Sequence, residues 1–237
     1  MELVVARIDE LRPRLTEAFE AWAREDVGSA QRSCALSGGA TALIFLGALR
    51  NANVDWSRIS LFWADERAVP ADDADSNFGI ADRLLLGPLG AKAPRAFRIP
   101  FDPALDKPGT ASLGTVAMKY DAVLNRELKS GSLDLALLGI GEDGHICSLF
   151  PGHRALMADD LRVVAIEDAP KPPPRRLTLS LPFVLRTKKI WLIVVGPRKL
   201  PVLHAALSRT QRTTPLDLLL QQAKDVTVFT DQIIRRA

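Results

Sequence analysis

Cysteine, histidine and tyrosine are scarce here: two, three and one among 237 residues. Two cysteines, Cys34 and Cys147, make no disulfide framework, and neither has a partner at metal-ligand spacing. A reducing compartment fits that scarcity, and a cytoplasmic location is expected. No apolar run reaches the length of a membrane span. The opening Met1-Glu2-Leu3-Val4-Val5-Ala6-Arg7 has no charged leader followed by a long apolar core, so no membrane partner is expected. The chain also lacks a Gly-x-Ser-x-Gly elbow, which disfavours a serine acyl-enzyme. There is no internal repeat and no low-complexity linker.

What is present is ordinary for a globular enzyme: 47% hydrophobic and 25% charged residues. The length allows a sizeable core. The net charge is only +3, yet ten Lys or Arg and no Asp or Glu fall between Lys171 and Arg212. A solvated face explains most such clusters. Nucleic-acid binding is disfavoured, since the stretch has only Phe183 and Trp191 as aromatics and no helix-turn-helix or RRM pattern. A positive field around a phosphorylated or carboxylated small molecule is preferred, because the stretch breaks into strand-like pieces.

Hydrophobic periodicity alternates strand with helix. Helices are predicted over Leu11–Glu25 (with Pro13 near its start), from Thr41 to about Leu49, from Ser76 or Asn77 through Leu86, and over Thr110–Leu128, Pro201–Ser208 and Pro215–Ala223. Strands are predicted over Ser33–Leu36, Ile59–Ala64, Arg98–Pro100, Leu133–Leu138, Arg162–Ile166, Leu177–Leu181, Ile190–Val195 and Val226–Phe229. This order predicts a Rossmann-like three-layer α/β/α fold with a mostly parallel sheet, as a single domain over residues 1–237.

Five segments can carry chemistry. The most informative is Gly139 through His153, where a buried strand runs into a glycine-rich turn holding Asp143, Gly144 and His145. Strand C-terminal ends are where open α/β sheets bind ligands, and a histidine beside a carboxylate suits a general base. His153 reads as a loop residue that caps or shapes the site. No metal is expected, because His145 and His153 lack a third ligand at a recognisable spacing. Ser37-Gly38-Gly39-Ala40-Thr41 joins a strand to a helix and suits an anion through backbone N–H groups and the Ser37 and Thr41 hydroxyls; a tight turn would need the glycines anyway. It is neither a Walker A loop nor Gly-x-Gly-x-x-Gly.

Asp65-Glu66-Arg67 ends a strand, with Ser76-Asn77 following. Arg67 suits a phosphate or carboxylate, although, taken alone, a salt bridge to Asp65, Glu66 or a nearby loop Asp is the stronger reading. In Lys171-Pro172-Pro173-Pro174-Arg175-Arg176-Leu177-Thr178, Arg176 and Thr178 share one strand face. In Gly196-Pro197-Arg198-Lys199, Lys199 opens a helix and can meet an anion or stay solvated.

Taken in order, these pieces resemble the 6-phosphogluconolactonases of the bacterial and plant-type family. They are Ser37-Gly38-Gly39, Asp65-Glu66-Arg67, Ser76-Asn77, the run from Gly139 through Asp143-Gly144-His145-x-x-Ser148-Leu149-Phe150-Pro151-Gly152-His153, then Lys171-Pro172-Pro173, Arg176-x-Thr178 and Gly196-x-x-Lys199. The resemblance implies hydrolysis of a small-molecule sugar-phosphate lactone, 6-phospho-D-glucono-1,5-lactone, without a cofactor. It implies His145 as the catalytic base with Asp143 in support. It also implies a phosphate grip by the glycine turn (Ser37, Gly38, Gly39, Thr41), Asp65 and Arg67, with Arg176 and Lys199 as further candidates. A monomer or homodimer is expected. One departure is Ala42, where the family usually has proline; alanine is a good helix former, so the anion site is expected to survive. The related glucosamine-6-phosphate deaminases place a catalytic Glu a few residues past the His, and Ile146 to Phe150 here contain no carboxylate. A sugar-phosphate sensor would normally add a DNA-binding helix pair, and only one helix is predicted before Ser33.

Overall fold

The computed structural model describes residues 1–25, 31–103, 113–208 and 213–234. The chain opens with β1 (Glu2–Val5) and α1 (Ile8–Arg24), then β2 (Arg32–Leu36), α2 (Ala42–Asn51), β3 (Ile59–Trp63) and β4 (Asp65–Arg67). Next, α3 (Asn77–Ala81) runs through a wider π-helical turn into α4 (Gly87–Leu89), followed by β5 (Arg95–Phe97), α5 (Leu113–Glu127) and β6 (Leu135–Gly139). The remainder is β7 (Val163–Ile166), β8 (Arg176–Leu179), α6 (Leu181–Leu185), β9 (Lys189–Val194), α7 (Leu200–Leu207), α8 (Pro215–Gln222) and β10 (Val226–Thr230).

Seven strands pair in the order β1-β10-β9-β6-β2-β3-β5, parallel at every contact. Helices flank this sheet, giving the expected three-layer α/β/α architecture. Strands buried on both faces read as nearly continuous apolar runs. Accordingly, β2 and β3 are buried along their whole length, and Leu135 to Leu138 of β6 are buried too. From β2 the chain builds outward through β3 to β5, then returns to lay β6 on the other side of β2 and continues to β9 and β10. The order therefore reverses between β2 and β6, and loops leaving that point open a crevice above the strand ends.

Several expectations shift. Helix α1 starts at Ile8 rather than Leu11, so Pro13 lies inside the helix. Its start was hidden because Arg7 precedes it without a side-chain cap. The minor strand is Arg95–Phe97, ahead of the expected Arg98–Pro100. Leu181 belongs to a helix, not to the strand before it, because Ser180 caps that helix and Pro182 sits in its first turn. Residues 110–112, expected to open α5, lie outside the described residues, as do Arg209 and Arg212.

The largest difference is a second sheet. β7 and β8 do not join the parallel sheet. They form an antiparallel ribbon, in the order β4-β8-β7. The short connection between β7 and β8 permits a hairpin but not a parallel crossover. Ala64 is the junction: its N–H donates to Leu36 O of the main sheet (2.8 Å), and its carbonyl accepts from Leu179 N of the small sheet (2.7 Å).

The single tyrosine secures this junction. Tyr120 on α5 is fully buried; its hydroxyl accepts from Trp63 N (2.8 Å) and donates to Trp63 O (3.0 Å). Tyr120→Phe leaves both backbone groups unpaired in the core. A stability loss of about 2 kcal/mol is expected, read as a lower urea midpoint with an unchanged m-value.

Candidate active site

Loops from both sides of the strand reversal meet above β2 and β6. Ser37 N donates to Leu137 O (3.0 Å), and Gly139 N donates to Ser37 Oγ (3.1 Å), so the ends of the two strands are stitched together. A cavity of about 360 Å³ opens there. Its walls include Ser37 to Thr41, Asp65 with Arg67, Gly139 to Glu142, and His145. Cys147, Lys171, Arg176, Arg198 and Lys199 complete them. Nearly every candidate taken from the sequence thus reaches one cavity. Asp143 stands at its edge through His145.

His145 Nδ1 lies 2.5 Å from Asp143 Oδ1, and Asp143 Oδ2 lies 3.0 Å from Lys171 Nζ. An ionised carboxylate can only accept, so the Nδ1–Asp143 bond puts the proton on Nδ1 and leaves Nε2 as the basic nitrogen. The Phe150 ring packs on the imidazole with centroids 4.6 Å apart. Gly141 makes room for the pair: a Cβ there would sit 2.0 Å from His145 Nδ1 and 2.4 Å from Asp143 Oδ1. Burial pushes His145 below its ordinary value; Asp143 pulls the other way and Lys171 adds to the depression. Burial pushes Asp143 up, but His145 and Lys171 outweigh it and hold the carboxyl below its usual range.

The small sheet supplies the opposite wall. In its register Asp65 faces Thr178 and Arg67 faces Arg176. Asp65, one of the three partners expected for Arg67, is not paired with it. Instead, Asp65 Oδ2 accepts from the buried Ser148 Oγ (2.8 Å). Glu66 is turned inward and accepts from the N–H groups of Arg67 (2.8 Å), Asn77 (2.7 Å) and Phe78 (2.7 Å), and from Ser76 Oγ (3.2 Å). Burial raises its pKa in spite of these donors. Ser76 also caps α3, accepting from Gly79 N (3.0 Å). Arg67 donates from Nη1 to Asp75 O (2.7 Å), while its Nε finds no partner. Asn77 holds Asp65 O (2.8 Å) and lies so close to Gly38 that a Cβ at position 38 would be 1.7 Å from its Oδ1. The glycine turn therefore requires glycine for packing, whatever it binds.

The basic stretch divides in two. Lys188 pairs with Asp134 (2.7 Å) and Lys189 with Glu25 (2.5 Å), at the opposite ends of the strands. Lys171, Arg176, Arg198 and Lys199 face the cavity. Arg198 bridges to Glu142 (3.2 Å). Burial, helped by Arg198 and opposed by Glu142, lowers the pKa of Lys199. Arg176 is more committed than its place in the sequence suggests, since four of its N–H groups already donate within the protein. Ser148 is fully buried between Asp65 and Arg176. His153 caps the turn Arg154–Met157 through Nδ1 and reaches Asp168 through Nε2 (3.1 Å). Sequence reasoning gave no role to Lys171, Glu142 or Arg198. Their partners lie on other loops, which no spacing reveals.

The two charges that flank His145 act with opposite sign. In Asp143→Asn, burial and Lys171 remain while the carboxylate is lost. The imidazole titration of His145, followed by NMR, is expected to move to lower pH.

Residues 6–229 match the family model described as glucosamine-6-phosphate isomerases/6-phosphogluconolactonase. The chain is 38% identical over 178 residues to a 6-phosphogluconolactonase of Mycobacterium tuberculosis, covering 73% of this chain and 71% of that protein. A solved 6-phosphogluconolactonase from Shewanella baltica superposes with a TM-score of 0.75 at 27% identity, covering 97% of each chain. A monomeric glucosamine-6-phosphate deaminase superposes with a TM-score of 0.76 at 20% identity over 98% of each chain, a likeness of fold alone. No helix among the described residues is long and apolar enough to cross a membrane. Sequence match and architecture agree, and the chain belongs to the glucosamine-6-phosphate isomerase/6-phosphogluconolactonase family.

Proposed function

We propose that this chain hydrolyses 6-phospho-D-glucono-1,5-lactone to 6-phospho-D-gluconate, the lactone-opening step of the oxidative pentose phosphate pathway, with His145 as general base. The observation that carries this reading is a half-buried imidazole, buttressed by Asp143 at 2.5 Å, in a cavity walled by Arg67, Lys171, Arg198 and Lys199. A lactone carbonyl needs an activated nucleophile, and a phosphorylated sugar needs cations. Both requirements meet in one crevice.

In this mechanism, water attacks C1 while Nε2 of neutral His145 takes its proton. The tetrahedral oxyanion collapses, the C1–ring oxygen bond breaks, and the imidazolium returns the proton to the leaving ring oxygen. Asp143 holds the ring and stabilises the transient imidazolium. The hydroxyl of Ser148 is bonded on both sides, to Asp65 and Arg176, which supports water rather than serine as nucleophile. The glycine turn Ser37–Thr41 at the start of α2, with Asp65 held beside it, would receive the phosphate together with Arg67 and Lys199. Arg176 has one N–H left to contribute.

Fold does not separate lactonase from deaminase, but the residues after His145 do. Ile146, Leu149 and Phe150 are buried apolar side chains, Ser148 is bonded to Asp65, and burial pushes the Cys147 thiol up, so no carboxylate follows the histidine, which supports the lactonase reading over an isomerisation.

The test is decay of the lactone, generated in situ from glucose 6-phosphate and compared with its spontaneous hydrolysis. Acceleration is expected; glucosamine 6-phosphate should be left unchanged. His145→Ala should lower kcat by about 10²–10⁴-fold, and retention of near-full rate would remove His145 as base. Imidazolium cannot accept a proton, so kcat/KM should fall as pH drops through the His145 pKa. Burial sets that limb below the ordinary histidine value of 6.5. Arg67→Ala should raise KM for the phosphorylated lactone far more than for plain gluconolactone.

A further inference from the structure

The loop joining β7 to β8 presents three successive carbonyls to one guanidinium. Arg176 donates from Nε to Pro173 O (2.9 Å) and from Nη2 to Pro172 O (3.0 Å) and Lys171 O (3.1 Å). Its Nη1 reaches Ser148 Oγ (3.3 Å). Four of the five guanidinium N–H groups are thus committed, on a residue only 4% exposed. The guanidinium also stands 5.5 Å from the Phe150 ring, whose ring packs on His145. A lysine on a free loop would lose much entropy on forming an ion pair. Here the backbone of Lys171 is already fixed, and only its side chain need order. Its Nζ meets Asp143 Oδ2 at 3.0 Å, while Oδ1 of the same carboxylate meets His145.

We propose that Lys171 is a positioning residue for the His145–Asp143 pair. Held by the turn that Arg176 braces, it meets the outer oxygen of Asp143 while the inner oxygen sits on His145 Nδ1, and so tempers the pull of the carboxylate on the imidazole without replacing it. The inference rests on reading His145 as the base, and it adds a role for a residue outside that mechanism. Three charged groups act on the imidazole: Asp143 from its own loop, Asp65 from β4 and Lys171 from the β7–β8 loop. The two carboxylates favour imidazolium, whereas Lys171 and burial disfavour it. A carboxylate strong enough to orient a half-buried histidine also tends to protonate it. Lys171 offsets that tendency without displacing the carboxylate, so the resting base stays neutral.

The test needs no turnover. The chain has three histidines, so the His145 imidazole signals are assigned by their loss in His145→Gln, and their titration is followed by NMR in the ligand-free protein. Lys171→Met is expected to move the titration to higher pH, and Lys171→Arg to restore it. Arg176→Met, where it folds, should move it in the same direction as Lys171→Met, by releasing the turn. Because Arg176 is buried and its variant can fail to fold, Lys171→Met decides. An unchanged titration in folded Lys171→Met overturns the proposal. In kinetics, the acid limb of kcat/KM should follow the titration upward. A rise in KM with the limb fixed also overturns the proposal and makes Lys171 a substrate ligand. If the parent protein fails to open the lactone, the proposed function falls, while the titration still decides the role of Lys171.

Discussion

The reversal of strand order beside β2 is the constraint on which the site depends. β2 and β6 are hydrogen-bonded neighbours, yet the chain leaves them toward opposite edges of the sheet. The gap between their departing loops cannot be filled by either connection, so a crevice is unavoidable there. Ser37 spans the seam with its own N–H and its hydroxyl oxygen. The glycine turn and the Asp143–His145 turn are consequently brought face to face although they are remote in sequence.

The second sheet solves a different problem. A fully parallel sheet buries its strands between helices and has no interior place for Asp, Glu and Arg in succession. At Ala64 the chain changes sheets, and the three charged residues pair with β8 instead. Asp65 and Arg67 then face the cavity from one side of that ribbon, while Glu66 turns inward to gather the N–H groups at the start of α3. Buried ionic groups are costly unless hydrogen-bonded. Here the bonds are supplied by Ser76, Asn77, Ser148 and backbone groups, which together make a rigid floor under the site.

Much of this was legible in the sequence, and the failures have physical causes. Strand β6 and the turn after it were readable because four apolar residues end abruptly in glycines, and Ser76 because a polar cap precedes a helical pattern. The membership of β7 and β8 in a separate sheet was not, since the periodicity of a strand says nothing about its partner. Arg176 was placed at the site by the family resemblance, but its carbonyl partners depend on how the preceding turn curls. Lys171 was visible only as part of a proline-rich run, because its partner Asp143 lies on another loop.

The same architecture superposes on a deaminase as well as on lactonases, so the fold supplies the crevice and not the reaction. Several of the polar groups near His145 are already committed to hydrogen bonds or ion pairs. Asp143 is held on both oxygens, Ser148 is bonded on both sides, and Glu66 is turned away beneath α3. A proton shuttle across a sugar needs two groups able to exchange protons in turn. A hydrolysis that passes one proton from water to a leaving oxygen needs one. On the proposed reading, the hydrogen bonds that stiffen the floor of the cavity thus also narrow its chemistry, to proton transfer through Nε2 of His145 in a cationic cleft.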